Sequence, residues 1–346
     1  MTDRDPRPGR TTSGRVSMAM VAARAGVSGQ TVSRVVNDSP RVDPVTRARV
    51  EQAMSALGYR PHRAARALRT GRSQTIGLVV TTLTTVGNSR MLQATAEAAA
   101  ERGYALTVVT AAEGVTTAFA RLAEQEVDGA IVLNEASAQV SGHEPPAGLR
   151  LVVVDAPSGA GFAAVHSDHH GGAVAATARL LELGHDTVHH LAGPADSYAA
   201  AERERGWRET LGAAGVTPPA LVRGDWSADA GFAAGPALEA ASAVFCANDQ
   251  MALGLLRALA EAGRRVPEDV SVIGFDDVPD AANYRPPLTT IRQDFTALAH
   301  RAVAALVAEI EGGAVEGAAV EGGAVEGGAV SVIPTQLVER ASTARA

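Results

Sequence analysis

Helix-sized amphipathic stretches and turn signals alternate in the first part of the chain. Gly26 is suited to end one stretch, Ser28 to cap the start of the next, and Asp43 to open a third that Gly58 ends. Apolar residues recur within these stretches at the spacing of one helix face. The pattern predicts three short helices that form a small unit over residues 16–60.

Beyond Ser73 the pattern changes to short apolar runs that alternate with helix-like stretches. The runs lie at 75–80, 104–109, 129–133, 150–155, 187–193, 243–249 and 270–277. Strands that read as continuous apolar runs are covered on both faces, which favours parallel sheets flanked by helices. Because a single core rarely grows past roughly 250 residues, we expect this part of the chain to contain more than one sheet.

Two segments show neither pattern. Residues 1–15 are rich in Arg, Pro, Gly and Thr without periodicity, which predicts a disordered arm. Residues 311–330 repeat EGGAV-like units with a five-residue period that fits neither strand nor helix. Their glycine content also opposes a stable helix. We interpret the repeat as a solvated loop, with a binding role as the alternative.

Charge separates the two parts of the chain. Residues 1–72 contain fourteen arginines and five acidic residues, whereas residues 73–346 contain seventeen arginines and thirty-three acidic residues. A basic head on an acidic body is typical of a protein whose small domain binds a polyanion. The single cysteine, Cys246, excludes an intramolecular disulfide and a zinc cluster made of cysteines.

Several classes of protein do not fit the sequence. No apolar segment follows the polar N-terminus, and no stretch approaches the roughly 18 apolar residues that span a membrane. We therefore expect a cytoplasmic protein without a membrane partner. No phosphate-binding loop or nucleophile elbow occurs, so the motifs favour a protein that is not an enzyme.

Residues 18–37 have the helix, tight turn, helix layout of a helix-turn-helix. Gln30 and Arg34 lie four residues apart on one face of the second predicted helix, and these side chains can read adenine and guanine edges in the major groove. Thr31, Ser33 and the helix N-terminus are suited to hold phosphates. The alternative is a solvated face on an ordinary helical bundle.

The sequences AGVSGQTVSRVVN and RVDPVTRARVEQAMSALGYRPHRAARAL resemble the DNA-binding head and hinge of the lactose-repressor/galactose-repressor family. The resemblance implies a helix-turn-helix head over 16–60 and a hinge helix over 61–72 that becomes ordered on operator DNA. An apolar hinge residue wedged into the minor groove kinks DNA, and neighbouring arginines neutralise its phosphates. The DNA-binding residues so implied are Ser17, Ser28, Gly29, Gln30, Thr31, Ser33, Arg34, Asn37, Arg63, Arg66 and Leu68.

The head departs from the family pattern at two positions. Met20 stands where the family usually has Asp at the start of the first helix, so we expect that helix to be less well capped. Gly29 occupies a base-reading position without offering a side chain. Part of the usual base readout is therefore missing or moved.

Candidate ligand groups are spread over the acidic body. Asp155, Asn248 and Asp276 end predicted strands, where ligands bind in open α/β sheets. With Arg203 they offer paired hydrogen bonds to vicinal hydroxyls, and an aromatic residue such as Trp226 can cover the C–H side of a sugar ring. The alternatives are helix caps for the strand-end residues, a surface ion-pair array for Arg203, and simple core packing for Trp226.

The segments HLAGP, GDWSADAGF, ANDQMALGLLRAL, SVIGFDD and YRPPLTTIRQDF resemble the effector-binding core of the same family, above all its lactose-repressor branch. The resemblance implies a galactoside as the effector. The ligand-binding residues it implies are Thr81, Asp155, His166, Arg203, Trp226, Asn248, Asp276, Gln293 and Phe295. The chain departs from that branch where His166 replaces an aromatic residue, Ala199 a serine and Thr85 a leucine, changes that can redirect recognition to another sugar.

The resemblance also implies the architecture of residues 73–346. It is a two-lobed α/β core similar to a periplasmic sugar-binding protein, joined by three crossovers and closing on its ligand. The implied lobes are about 73–161 with 292–310 and about 162–291 with 331–340, and 311–330 is a loop. The family's tetramerising heptads have no counterpart, so a homodimer is expected. No cofactor is implied.

The implied mechanism is release by an inducer. A sugar that binds one lobe arrangement better shifts the dimer toward it and lowers operator affinity. Two rival functions remain open: a repressor of the purine branch, in which the ligand strengthens operator binding, and a sugar receptor without a DNA role.

Two residue patterns are typical of a metal site and of a glycoside hydrolase, but their positions in the predicted strands do not favour either. His185 and His189 have the spacing of a metal pair on a helix, yet 187–193 reads as a strand that would hold them on one face, too far apart for one ion. Asp276 and Asp277 could suggest a glycoside hydrolase, but adjacent residues at a strand end point in different directions.

Overall fold

The computed structural model describes residues 16–36, 39–59, 71–140, 145–157, 162–312 and 330–346. The chain divides into two compact units, with the boundary between Ser73 and Gln74. Three predictions fall wholly or mostly outside the described residues: the arm, the hinge helix and the EGGAV repeat. Among the described residues, no helix is long and apolar enough to cross a membrane.

The first unit contains the three helices that the turn signals predict. They are α1 (Met18–Ala25), α2 (Gly29–Val36) and α3 (Pro44–Leu57). Gly26 and Gly58 adopt left-handed conformations that end α1 and α3, and Asp43 accepts a hydrogen bond from the Thr46 N–H at the start of α3. A core of small apolar side chains joins the helices; it contains Val21, Ala22, Ala25, Val32, Val35, Val42, Val50 and Ala53.

The start of α1 differs from the expectation. Met20 was expected to leave this helix poorly capped, but Ser17 supplies the cap, because its hydroxyl oxygen accepts a hydrogen bond from the Met20 N–H at 3.3 Å. A serine cap typically contributes about 1 kcal/mol. The N-terminus of α1 therefore has a side-chain cap although position 20 is not Asp.

The second unit has two lobes, each built on a six-stranded sheet. The first lobe consists of β1 (Thr75–Val80), α4 (Val86–Glu101), β2 (Ala105–Thr110), α5 (Val115–Glu124), β3 (Gly129–Leu133), α6 (Glu135–Ala138), β4 (Arg150–Val154), β5 (Ala163–Ser167), α12 (Phe295–Glu311) and β11 (Val330–Ile333). Its strands run parallel in the order β11-β5-β4-β3-β1-β2.

The second lobe consists of α7 (His169–Glu182), β6 (His189–Ala192), α8 (Tyr198–Ala213), β7 (Val222–Arg223), α9 (Ala228–Ala233), α10 (Gly235–Leu238), β8 (Ala243–Cys246), α11 (Asp249–Glu261), β9 (Ser271–Asp276), a 3-10 helix (Pro279–Asn283), β10 (Thr289–Arg292) and β12 (Gln336–Val338). Its strand order is β12-β10-β9-β8-β6-β7, and only the β10–β12 pair is antiparallel. Helices cover both faces of each sheet, and each face has its own apolar cluster.

The observed lobe boundaries differ from the expected ones. Strands β5 and β11 were assigned to the second lobe, but both belong to the sheet of the first. The chain therefore crosses between lobes after Ser167, between β10 and α12, and between β11 and β12. The segment of β5 reads AAVHS and that of β11 reads VSVI, too short and too polar to stand out as buried strands.

The strand predicted over 187–193 is shorter in the structure than expected. It begins at His189, and His185 lies in the turn after α7. The two histidines therefore do not share a strand face as expected. No group of histidine, cysteine and acidic residues suited to a metal ion occurs among the residues that the structure describes.

Helices α9 and α11 approach closely at glycines. A Cβ atom built on Gly254 of α11 would lie 1.8 Å from the carbonyl oxygen of Ala228 in α9, which is backbone and cannot move aside as a flexible side chain would. The contact supports the apolar cluster that contains Met251 and Leu255. Only glycine at position 254 permits this packing.

We predict that Gly254→Ala destabilises the second lobe. Overpacking of a tight contact typically costs about 1–3 kcal/mol, which should lower the midpoint of urea unfolding. The control is Gly212→Ala in α8, where an added Cβ meets nothing within 4 Å. Because alanine is the better helix former by about 0.5–1 kcal/mol in a helix interior, the control should match or exceed the parent. Equal midpoints for both variants would contradict the close-approach argument.

Candidate functional site

Helix α2 presents an exposed face in the first unit. Gly29, Gln30 and Arg34 are exposed, while Val32 and Val35 of the same helix are buried in the core. The face therefore carries Gln30 and Arg34, the side chains predicted to read adenine and guanine, away from the core. A Cβ atom at Gly29 would meet nothing within 4 Å, so the helix itself does not require glycine there.

Two hydroxyls that the family resemblance implies for DNA binding, those of Ser28 and Thr31, also hold the start of α2. The Ser28 hydroxyl oxygen accepts a hydrogen bond from the Thr31 N–H at 3.1 Å and lies 3.0 Å from the Thr31 hydroxyl. Ser17 caps α1 in the same way. These three side chains order the two helix N-termini of the helix-turn-helix, whose remaining N–H groups are suited to phosphates. Asn37, Arg63, Arg66 and Leu68 lie outside the described residues.

A cleft of about 490 Å³ lies between the two lobes of the second unit. Its lining residues are Thr85, Gly87, Asn88, Met91, Asn134, Glu135, Asp155, His169, Ala199, Arg203, Trp226, Asn248, Asp276, Gln293 and Phe295. Seven of the nine predicted ligand residues are among them. They come from the carboxyl ends of strands in both sheets and from the adjoining helices, as expected for a ligand site in α/β lobes.

Asp155 follows β4 on the first-lobe side of the cleft. Its Oδ1 accepts a hydrogen bond from the Ser167 N–H at 3.0 Å, and His169 Nε2 lies 3.0 Å from the same oxygen. Burial raises the pKa of Asp155, but the nearby His169 and His166 rings and the Ser167 N–H outweigh this and hold it below the usual value. The carboxylate is therefore ionised near neutral pH, and its Oδ2 has no hydrogen-bond partner among the described residues.

Asp276 follows β9 on the opposite wall. Its Oδ1 accepts a hydrogen bond from Gln293 Nε2 at 2.6 Å and lies 3.8 Å from Arg203 Nη2. Burial raises the pKa of Asp276, although Arg203 and the Gln293 bond oppose the rise. Both cleft aspartates thus use Oδ1 within the protein, and in the described part of the chain no partner engages Oδ2 of either.

Arg203, a residue of α8, lies between these two carboxylates. Its Nη1 donates to the Ala247 carbonyl, and its guanidinium stacks 3.7 Å from the centre of the Phe275 ring. Burial lowers the pKa of Arg203 from its usual value, against the pull of Asp276. The surface ion-pair interpretation is wrong for this residue, because only 4% of it is exposed. The surface array forms instead from neighbours such as Arg205.

Trp226 and Asn248 close the second-lobe side. Asn248 caps α11 through the Met251 N–H at 2.9 Å, and its Nδ2 donates to the Trp226 carbonyl at 3.0 Å. The Trp226 indole N–H donates across the cleft to Glu135 Oε1 at 3.1 Å. A Cβ atom at Gly193 would lie 2.3 Å from the indole, so this glycine makes room for Trp226.

Two predicted ligand residues lie apart from the cleft lining. Thr81 follows β1 and does not reach the cleft surface. His166 is buried behind Asp155, with its Nδ1 4.0 Å from Asp155 Oδ1 and its ring 5.2 Å from that of Tyr198. Burial lowers the pKa of His166. Of the three departures from the family pattern, Thr85 and Ala199 do line the cleft.

Sequence reasoning missed several lining residues. Asn88, Asn134, Glu135 and His169 contribute polar groups to the cleft. Asn134 directly follows β3, so the strand-end signal that identified Asp155 could have identified it too. The others sit on helices whose position at the cleft depends on the tertiary fold.

Backbone strain concentrates at the cleft. Seven residues other than glycine have positive φ among those described, and five of these lie in the cleft or directly beside it. The five are Asn134 (49°), Asp155 (52°), Trp226 (74°), Asp276 (115°) and Asp277 (51°). Such conformations cost of order 1–3 kcal/mol each and persist where the surrounding structure determines them, commonly at functional sites.

The two adjacent aspartates point apart. Asp276 faces the cleft, whereas Asp277 pairs with Arg292 at 2.7 Å and with Arg340 at 2.6 Å. They do not form the facing carboxylate pair that glycoside hydrolysis requires.

Comparison with known proteins matches both units. Residues 17–62 match the family model "Bacterial regulatory proteins, lacI family", and residues 177–343 match a periplasmic binding protein-like domain. The chain is 38% identical over 320 residues to the HTH-type transcriptional regulator CelR of Thermobifida fusca, covering 86% of this chain and 93% of that protein. It is 34% identical over 339 residues to the lactose operon repressor of Escherichia coli K12, covering 95% and 91%.

Solved structures agree. A crystal structure of the lac repressor dimer bound to operator and the anti-inducer ONPF matches with a TM-score of 0.82 at 34% identity, covering 96% of this chain and all of that one. A CelR–cellobiose complex matches with a TM-score of 0.67 at 33% identity over 95% of this chain and all of that one. These relatives regulate transcription and are not enzymes, as expected for this chain. With its helix-turn-helix head and its two-lobed core, the chain belongs to the lacI family of bacterial transcriptional regulators.

Proposed function

We propose that this regulator is a repressor that binds operator DNA as a homodimer and is released by a small sugar bound in the cleft. The observation that carries the proposal is the pair of carboxylates on opposite walls, Asp155 and Asp276, each of which keeps one oxygen without a partner among the described residues. A neutral ligand with several hydroxyls can donate to both walls at once. A ligand of that kind favours the arrangement in which the walls face each other.

The other cleft groups suit the same ligand. Arg203 and Asn248 add polar hydrogen-bonding groups between the carboxylates, and the Phe295 and Trp226 rings offer apolar faces for sugar C–H groups. The lac repressor and the CelR–cellobiose complex are similar over almost the whole chain, which supports a sugar rather than a purine. We propose a galactoside as the effector, and cellobiose is the alternative that the CelR complex favours.

Release follows from linkage between the two sites. If the sugar binds one lobe arrangement better, it shifts the population toward that arrangement, and operator affinity falls by the same coupling free energy. A dimer places two recognition helices on a pseudo-palindromic site, which supports the homodimer. Because a repressor must reach its operator DNA, we propose that the protein acts in the cytoplasm.

We predict that Asp276→Asn removes induction. The amide can still accept from Gln293 but lacks the carboxylate charge, and a hydrogen bond to a charged group contributes about 1.5–3 kcal/mol, or roughly a 10- to 150-fold change in sugar affinity. Operator DNA binding is measured by fluorescence anisotropy with galactosides, cellobiose and purines as additions. A sugar should release DNA from the parent but not from the variant, with equal DNA affinity when no sugar is present.

The matched control is Asp186→Asn, an exposed carboxyl of the second lobe that does not line the cleft. It should respond to sugar as the parent does. Tighter DNA binding with a purine would instead establish the corepressor mode. If no added compound changes DNA binding, the proposed induction is refuted.

We predict that Gln30→Ala weakens specific DNA binding. A side chain bidentate to a base contributes about 1–3 kcal/mol of discrimination, so the variant should lose preference at one base pair of each half-site while its binding to unrelated DNA is unchanged. Half-sites are first selected with the full chain from a random duplex library. Gln52→Ala, an exposed glutamine of α3, is the control. Equal losses in both variants would exclude direct readout by Gln30.

A further inference from the structure

His169 lies between the two groups that the proposed function assigns to sugar binding on opposite sides of the cleft. Resting on that function, we propose that His169 is a positioning residue that joins Asp155 of the first lobe to Arg203 of the second.

The contacts of the ring define the bridge. Arg203 Nε and Nη2 lie 3.4 Å and 3.2 Å from His169 Nδ1. On the other side of the ring, Nε2 lies 3.0 Å from Asp155 Oδ1. His169 is 2% exposed and is the first residue of α7, the helix that follows the first crossover between the lobes. A single side chain thus contacts a sugar-binding candidate of each lobe.

The chemistry of the neighbours determines which nitrogen of a neutral His169 ring carries the proton. A guanidinium has donors but no acceptor, so the His169 Nδ1 that faces Arg203 must present its lone pair. The proton of a neutral ring is then on Nε2, toward the Asp155 carboxylate. Only this tautomer satisfies both neighbours, because the other one directs N–H against N–H at Arg203 and a lone pair against the carboxylate.

The two halves of the bridge are not equally well formed. Nδ1 makes hydrogen bonds with Arg203, whereas Nε2 is buried and makes no well-aligned hydrogen bond, although it is close to Asp155. Hydrogen bonds at binding sites are often poorly aligned before the ligand binds and tighten afterwards. A small closing movement of Asp155 toward α7 would align this contact, so sugar binding and lobe closure favour the same geometry.

Other groups packed around the ring do not replace the bridge. His166 approaches Asp155 Oδ1 only to 4.0 Å, and the Tyr198 and Phe275 rings lie 6.4 Å and 6.0 Å from the His169 ring centre. Asp276 is the remaining charged group near the ring, and it lies beside Arg203. The ring therefore has one carboxylate and one guanidinium as its direct polar partners among the described residues.

Three variants of the full chain test the bridge. His169→Gln can accept from Arg203 and donate to Asp155, and His169→Leu fills similar space without polar atoms. His170→Leu is the matched control, because His170 is the next residue, points to the surface and pairs with Glu209 at 2.7 Å. Sugar affinity is measured by titration calorimetry at pH 7.5, with the galactoside or cellobiose that releases DNA from the parent.

We expect His169→Leu to bind sugar about tenfold more weakly at pH 7.5, the loss of roughly one charge-assisted hydrogen bond, with unchanged operator affinity in the absence of sugar. His169→Gln should stay within about threefold of the parent, because its amide can make both contacts. His170→Leu should behave as the parent does.

The outcomes separate this proposal from the proposed function. If the parent binds no sugar, both are refuted. If the parent binds sugar but His169→Leu binds equally well, or His169→Gln loses as much affinity as His169→Leu, the bridge alone is refuted. A purely structural role would lower the melting temperature of both His169 variants and would not distinguish glutamine from leucine.

Discussion

The buried charge of Arg203 is the constraint on which the arrangement of the cleft depends. Moving a charge out of water costs several kcal/mol even after the protein relaxes, and the cost is recovered only when partners surround it. The guanidinium has carboxylate, imidazole and carbonyl partners and two aromatic faces, all from the second lobe. Removal of one partner leaves a charge without compensation. The groups that hold Arg203 therefore hold one another, which helps to maintain the strained backbone of Trp226 and Asp276, and His169 connects this set to Asp155 of the first lobe.

The two lobes are connected by three chain crossings, but each lobe has its own core and can change its position relative to the other. Each lobe has its own sheet and two apolar clusters, so neither needs the other for its core. Besides the contact between Asp155 and His169, polar contacts across the cleft among the described residues include Trp226 to Glu135, the Val86 N–H to Gln250 at 2.9 Å, and Arg90 to the Asp277 carbonyl at 3.2 Å. Polar contacts of this kind contribute about 0.5–1.5 kcal/mol each. A ligand with several hydroxyls can exchange them for its own bonds at little net cost, which is the condition for shifting the population of lobe arrangements.

Much of the fold follows from local patterns in the sequence. The three helices of the head form where Ser28, Asp43 and Gly58 predict, because capping is decided within four residues. Strands form at all seven apolar runs, although β2 is only partly buried and the run at 187–193 is a strand only over His189–Ala192. Strands β5 and β11 escaped prediction because an edge-proximal strand of four or five residues carries little periodic signal, and the lobe boundaries were misplaced for the same reason. Strand-end carboxylates could be found from their position after a strand, but the role of His169 could not, since its neighbours lie 14 and 34 residues away and meet only in the folded core.

The walls of the cleft differ in a way that bears on the ligand. The second-lobe wall has the carboxylate, amide and guanidinium set together with the Trp226 ring, whereas the first-lobe wall combines the polar groups of Asp155, Asn134 and Glu135 with the apolar side chains of Met91 and Phe295. Glu135 accepts a hydrogen bond from the Trp226 indole N–H across the cleft. A ligand that separates these two side chains must offer Glu135 a donor in return, because the desolvation of an unpaired charged group is costly. A hydroxyl group can make that exchange and an apolar group cannot, so the contact between Trp226 and Glu135 favours a ligand with hydroxyls at this end of the cleft.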